Sequence, residues 1–319
     1  MSVKHYVKDI ALFALLSTSL LLVACTQTEE AETDQPDLES ITTSFEHPET
    51  KQAFRIINAY ELYQNYADEM ERNPDNSQLD VYEQEVIDPI YSDCFEGGEY
   101  IHLADLAIDV TPDNLVKNQA LSEKIDRRAT EISIKEALFK ASNFLPAENE
   151  TTVCVLPATD SSTGGINIGV GKIILLYHEH FTNQLIKPLI AHEYHHNVWT
   201  EKNLNNVAPI TVLDNMMFEG KAVMFEKVLY PNINFTPVDS TYNQVHWSKI
   251  EDDLGKVDLN RALEIIRGGN GLPISYGYNE GYKMVKSYLD LHPGLTPEEW
   301  TALGSKEIFD GGKYLENYQ

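Results

Sequence analysis

GGINIGVGKIILLYH, residues 164–178, is the stretch whose reading decides the fold. Glycines open it and an apolar, β-branched run follows, the pattern of a strand. Upstream, TTVCVLPAT (151–159) is a second β-branched run. Downstream, helical periodicity takes over from Asn183 to Glu201 and again from about Ile210 to Tyr230. Working outward, KQAFRIINAYELYQNYADEMER (51–72) spaces Phe54, Ile57, Leu62, Tyr66 and Met70 as one helical face. LDVYEQEVIDPIYSDC (79–94) reads as a second helix broken at Pro89. The stretch 111–146 opens with Thr-Pro, a favourable helix start, and holds one or two helices. The C-terminal third is helical, with loops at RGGNGLP (267–273) and HPGLTPEEW (292–300). Helices, a small sheet, then more helices make the class α+β and mostly helical.

The N-terminus has the layout of an address. Lys4 and Lys8 precede an apolar run, Ile10 to Val23, that suits a signal-peptide core and is short for a membrane span. The run ends in LVAC, Leu22 to Cys25, which resembles a bacterial lipobox. That resemblance implies cleavage of a signal peptide, residues 1–24, and a lipid on Cys25. The next stretch carries eight acidic residues between Thr26 and Thr50 and no Lys or Arg. Such composition buries too little surface to fold, so residues 25–48 are expected to form a disordered tether. The remainder divides into a helical part, 49–150, and a catalytic part, 151–319. The expected location is extracytoplasmic, on a bacterial membrane through the lipid.

The formal net charge is −26 in 319 residues. Counterion release on nucleic acid needs clustered cations that this chain lacks, so nucleic acid is excluded as a partner. Electrostatic docking on an anionic bilayer is excluded for the same reason. Once Cys25 is lipidated, Cys94 and Cys154 remain. In an exported chain the pair permits a disulfide, and two buried free thiols fit equally well. The oligomeric state leaves no mark in the sequence.

AHEYHHNVWT (191–200) follows the strand directly. His192 and His196 are four apart, so one helical face carries both imidazoles toward one ion. His195 is turned roughly 60° to the other side of His192 and does not join them. Glu193, one step round, can take a proton from water at the metal without ligating it, which is the physical content of HExxH. Pro188 is awkward inside this helix, which is expected to be regular from Pro188 onward. A catalytic zinc usually takes a third protein ligand. The next helix offers Glu219, in LDNMMFEGKAVMFEK (213–227), if the two helices pack antiparallel. Gly220 beside it would let them approach closely. Glu226, two turns on, is placed to orient a ligating histidine from behind, and Asp214 is a weaker candidate for the same task.

AHEYHH followed by EGKA resembles the gluzincin metallopeptidases, which complete the HExxH pair with a glutamate from a following helix. A closer similarity is to a bacterial domain-of-unknown-function family of predicted zinc-dependent proteases with the pattern AHEYHH…EGLAE…GYxIGYxxVxxxL. This chain carries AHEYHH, EGKA and GYNEGYKMVKSYLDLHP (277–293) in that order, and WTALGSKEIFDGGKY (300–314) matches the family's C-terminal end. The likeness runs from about residue 150 to 316. It implies Zn²⁺ held by His192, His196 and Glu219, with Glu193 as general base. It also implies an edge strand before the HExxH helix that pairs with a peptide or protein substrate. Tyr278 occupies the family's GY position and is the expected donor to the oxyanion, with Tyr276, Tyr282 and His246 as alternatives. Lys221 and Val223 depart from the pattern, where an apolar residue and an acid are usual. The loss of the acid removes one expected support of a histidine. No segment of the kind aminopeptidases use to hold a free amino terminus is present, which favours an endopeptidase.

Two further readings compete with a lipid-anchored zinc peptidase. A non-catalytic binding or chaperone-like lipoprotein on the same scaffold would have no need of Glu193. A zinc-buffering lipoprotein would show His-rich tracts, and the sequence has none.

Overall fold

In the computed structural model, which describes residues 36–159, 163–204 and 209–318, strand β1 (Thr42–Glu46) runs antiparallel to β2 (Ala53–Ile57). Strand β2 lies parallel to β3 (Thr151–Pro157). The last two strands, β4 (Gly165–Gly169) and β5 (Lys172–Tyr177), form an antiparallel hairpin whose β5 arm pairs parallel with β3. The order across this mixed sheet is β1-β2-β3-β5-β4. The signal peptide, Cys25 and residues 26–35 of the expected tether lie outside the described residues.

Side-chain alternation along the strands feeds two cores. Phe54, Ile56, Val153, Val155, Ile173 and Leu175 face one way and join the larger cluster. Ile57, Cys154, Leu156, Ile174 and Leu176 face the other. Strands buried on both faces read as continuous apolar runs, as 151–159 and 172–177 do. The second face is covered by N-terminal segments, among them α1 (Tyr63–Arg72) and α2 (Pro112–Ser122), through Tyr63, Val86, Phe95 and Leu115. A disulfide between Cys94 and Cys154 ties this layer to β3.

On the first face lie α3 (Arg127–Phe144) and α4 (Asn183–Asn203). Next to α4 packs α5 (Val212–Leu229), followed by α6 (Leu259–Arg267), α7 (Tyr276–Leu291) and the short α8 (Pro297–Ala302). Among the described residues no helix is long and apolar enough to cross a membrane. The described residues belong to one compact unit, Gln35–Gln319, so 49–150 and 151–319 share a single sheet.

Several expectations need correction. Residues 51–72 are not one helix: Phe54 and Ile57 sit on β2, facing opposite cores, a 3-10 turn follows at Ala59–Leu62, and α-helix begins at Tyr63. The three-residue spacing suited a helix, but pairing with a strand almost a hundred residues away won. The tether does not extend to residue 48, because Thr42–Glu46 is β1, with Phe45 stacked on Phe54 at 5.5 Å. Residues 164–178 form a hairpin rather than one strand. The strand directly before α4 is therefore the interior β5, and the edge belongs to β4. Helix α4, by contrast, starts at Asn183, where the helical periodicity starts, with Thr182 as its N-cap and Pro188 inside.

Candidate metal centre

Helix α4 is buried along most of its length, and His192, Glu193, His195 and His196 are all buried. The i, i+4 spacing brings His192 Nε2 and His196 Nε2 to 3.1 Å of each other. Glu219, on α5, places Oε2 3.4 Å from His192 Nε2 and 3.2 Å from His196 Nε2. Three donors on a tetrahedral zinc with bonds of about 2.0–2.1 Å lie about 3.3 Å apart. The three atoms found here match that triangle, and their chemistry, two imidazole nitrogens and a carboxylate oxygen, is what zinc takes. They are the one His/Cys/Asp/Glu group able to hold a metal ion among the described residues.

The electrostatics ask for a cation at this point. Burial opposes the protonation of His192, but Glu219 and Glu226 beside it outweigh burial and hold its pKa up to about 10. Burial also works against the Glu219 anion, yet His196 and His192 bring that carboxyl down to about 2. Glu193 is raised, chiefly by burial and with Glu219 adding, while His192 and His196 oppose. A carboxylate poised upward beside the ligands suits a proton acceptor.

Glu193 lies against the edge strand. A Cβ on Gly165 would fall 2.8 Å from Glu193 Cγ and 3.0 Å from Oε1, so glycine is needed there. The antiparallel register turns the backbone groups of Gly165 and Asn167 away from β5, on a strand whose residues are all buried. Much of this outer side is already bonded, the Asn167 backbone to Glu193 among it. Tyr100 N donates to Ile168 O at 2.9 Å, and Thr163 Oγ1 donates to Gly165 O at 2.9 Å.

Of the four oxyanion-donor candidates, Tyr278 lies at the histidines. Its ring is 6.1 Å from that of His192, and burial with the charges of Glu219 and Glu193 pushes its hydroxyl well up. Tyr276 and His246 stack edge-on against each other at 5.9 Å, and the acid beside Tyr276 is Glu280. The charges beside Tyr282 are Lys286 and Asp290.

The supporting residues fall differently from expectation in part. His195 is turned away from the pair, bonded to Thr301 Oγ1 at 3.1 Å and stacked on Trp300. Fully buried Glu226 does stand behind His192, its Oε2 3.8 Å from Nδ1. Asp214 does not reach the site; it completes the capping box of α5 with Thr211. Gly220 serves a different crossing from the one expected. It meets Gly281 of α7, not α4, and a Cβ there would sit 2.5 Å from Gly281 Cα. Lys221, the departure from the family pattern, is buried and donates to Thr301 O and Leu303 O at the end of α8. Burial brings its pKa down to about 7, while the carbonyls of the helix C-terminus favour its charged form.

Phe218 and Tyr100 gave no signal in the sequence. The Phe218 ring stacks on His196 at 4.0 Å, supporting a histidine whose Nδ1 has no hydrogen bond. Tyr100 reaches in from the N-terminal layer, its hydroxyl 3.1 Å from Thr200 Oγ1 and its ring 6.1 Å from Phe218. An aromatic beside a candidate ligand looks like any core residue, and Tyr100 stands far off in the chain.

Comparison with known proteins gives one family. The family model described as "Predicted Zn-dependent protease (DUF2268)" matches residues 117–310, more than half of the chain. No curated protein and no solved structure matches it.

Proposed function

The chain belongs to the DUF2268 family of predicted Zn-dependent proteases, and from that premise we propose that it is a zinc-dependent peptidase of gluzincin type, an endopeptidase held by lipid outside the cytoplasm. One observation carries the reading: the triangle of His192, His196 and Glu219 donors with Glu193 beside it. Those three side chains would hold the ion. When bound, zinc supplies Lewis acidity, lowering the pKa of water to about 7 and polarising a carbonyl.

The chain's own residues supply the rest. Glu193, raised by burial, accepts a proton and later gives it to the leaving amine. The neutral Tyr278 hydroxyl donates toward the charge that develops on the carbonyl oxygen. The outer side of the edge strand β4, beside Glu193, is where a peptide strand would pair. The intact Glu193 speaks against a silent scaffold. Lipidation at Cys25 rests on the LVAC box, and the Cys94–Cys154 disulfide fits an oxidising compartment outside the cytoplasm.

The test is metal analysis together with digestion of casein and of a peptide library with blocked ends, for wild type and Glu193→Gln. The expected result is one zinc per chain in both proteins and internal cleavage in the wild type alone. Zinc without cleavage by the wild type would return the chain to the binding-scaffold reading.

A further inference from the structure

Between α5 and α6 the chain runs through an irregular segment, Pro231 to Asn243, that the proposed reaction does not use. It is pinned at both ends of the metal centre. At one end Thr236 donates twice to Glu226, from its backbone N to Oε1 at 3.1 Å and from Oγ1 to Oε2 at 2.6 Å. Lys227 Nζ holds Oε1 as well, at 3.0 Å. At the other end Asp239 N donates to Asn279 Oδ1 at 2.6 Å, and Lys283 Nζ donates to Thr241 O at 2.6 Å. Asn279 follows Tyr278 directly.

Glu226 is fully buried, and its fourth neighbour is His192 Nδ1, 3.8 Å from Oε2. That nitrogen is buried and has no hydrogen bond. The separation is about 1 Å beyond hydrogen-bond distance, so a small side-chain shift closes it. A carboxylate behind a ligating imidazole fixes its tautomer and ring angle. Glu226 can do so only if its own oxygens are held, and the Thr236 hydroxyl binds the very oxygen that faces His192. A valine at 236 would leave Oε2 free to swing.

We infer that Thr236 is a positioning residue for the metal ligand His192, acting through the Glu226 carboxylate. The inference rests on the zinc-site reading above. It extends the centre to a loop that lies outside the HExxH and EGKA motifs.

The experiment measures zinc affinity by competition with a chromophoric chelator, on the full chain, for wild type, Thr236→Val, Thr236→Ser, Glu226→Gln and the Thr236→Val/Glu226→Gln double variant. Unfolding of each metal-free protein is followed alongside, and Thr236→Ala reads the same lost hydroxyl if valine disturbs folding. Each of Thr236→Val and Glu226→Gln should weaken zinc about tenfold or more, the usual effect of losing an outer partner of a ligand. Thr236→Ser should bind like the wild type. The double variant should bind no more weakly than Glu226→Gln, because residues acting through one another do not add. Wild-type affinity in both Thr236→Val and Thr236→Ala, or fully additive losses, overturns the inference. A wild type that takes up no zinc overturns the zinc-site reading itself, an outcome visible before any variant is made.

Discussion

Replacing Gly220 by alanine should loosen the metal centre from behind. Helices α5 and α7 cross where Gly220 meets Gly281, and a Cβ on Gly220 would lie 2.5 Å from Gly281 Cα and nearer still to its carbonyl. Carbon atoms prefer separations of about 3.5–4.0 Å, so the helices must part by about 1.5 Å. Both partners are backbone, and no side chain can turn aside to make room. Overpacking of this kind costs about 3 kcal/mol, at the upper end of the usual range. Alanine returns about 1 kcal/mol through its better helix propensity. The net loss of about 2 kcal/mol corresponds to a fall of about 3 °C in Tm for a unit of this size. Glu219 adjoins Gly220, so zinc affinity should fall as well. The assay is thermal unfolding with and without zinc, with Gly255→Ala as control, since a Cβ there meets nothing within 4 Å. A Gly220→Ala protein that melts at or above the wild-type temperature would refute the reasoning, because propensity alone would then be deciding the outcome.

Three more outcomes are expected. Removing the disulfide with Cys94→Ser and Cys154→Ser together frees a loop of 60 residues and should cost about 4 kcal/mol, read by urea unfolding. In the metal-free protein the His192 pKa, raised to about 10, contributes stability that is complete below its unfolded value of about 6.5 and is lost as pH rises toward 10. Zinc must displace that proton, so its affinity should climb with pH over the same window, and chelator competition at pH 6, 7 and 8 giving one constant value would contradict this. Tyr278→Phe should leave zinc binding intact and lower kcat by about 10²–10³ if the hydroxyl serves the oxyanion, as steady-state kinetics will tell.

How much could be read from the chain depended on the range of the interaction. The α4 helix, its two facing histidines and the turned-away His195 follow from local spacing, and all three stand in the structure. Glu219 was legible because the next helix had to pack somewhere, and its motif marked the place. Strand β1 was hidden by its composition: Thr42, Thr43 and Ser44 carry little apolar signal, and β2 supplies the order. For Phe54 and Ile57 a period fitted to one window could not anticipate pairing with β3. Gly220 advertised a close approach without naming its partner, and Gly281 lies 61 residues on. Tyr100 and Thr236 act by tertiary placement alone, so no pattern announces them.

The most direct measurement of the central claim is anomalous diffraction at the zinc edge from crystals of the zinc-loaded chain, paired with metal analysis of Glu219→Ala. One peak should appear about 2.0–2.1 Å from His192 Nε2, His196 Nε2 and a Glu219 oxygen, and the variant should lose most of its zinc. A peak elsewhere, or a variant that keeps its full zinc, would contradict the account.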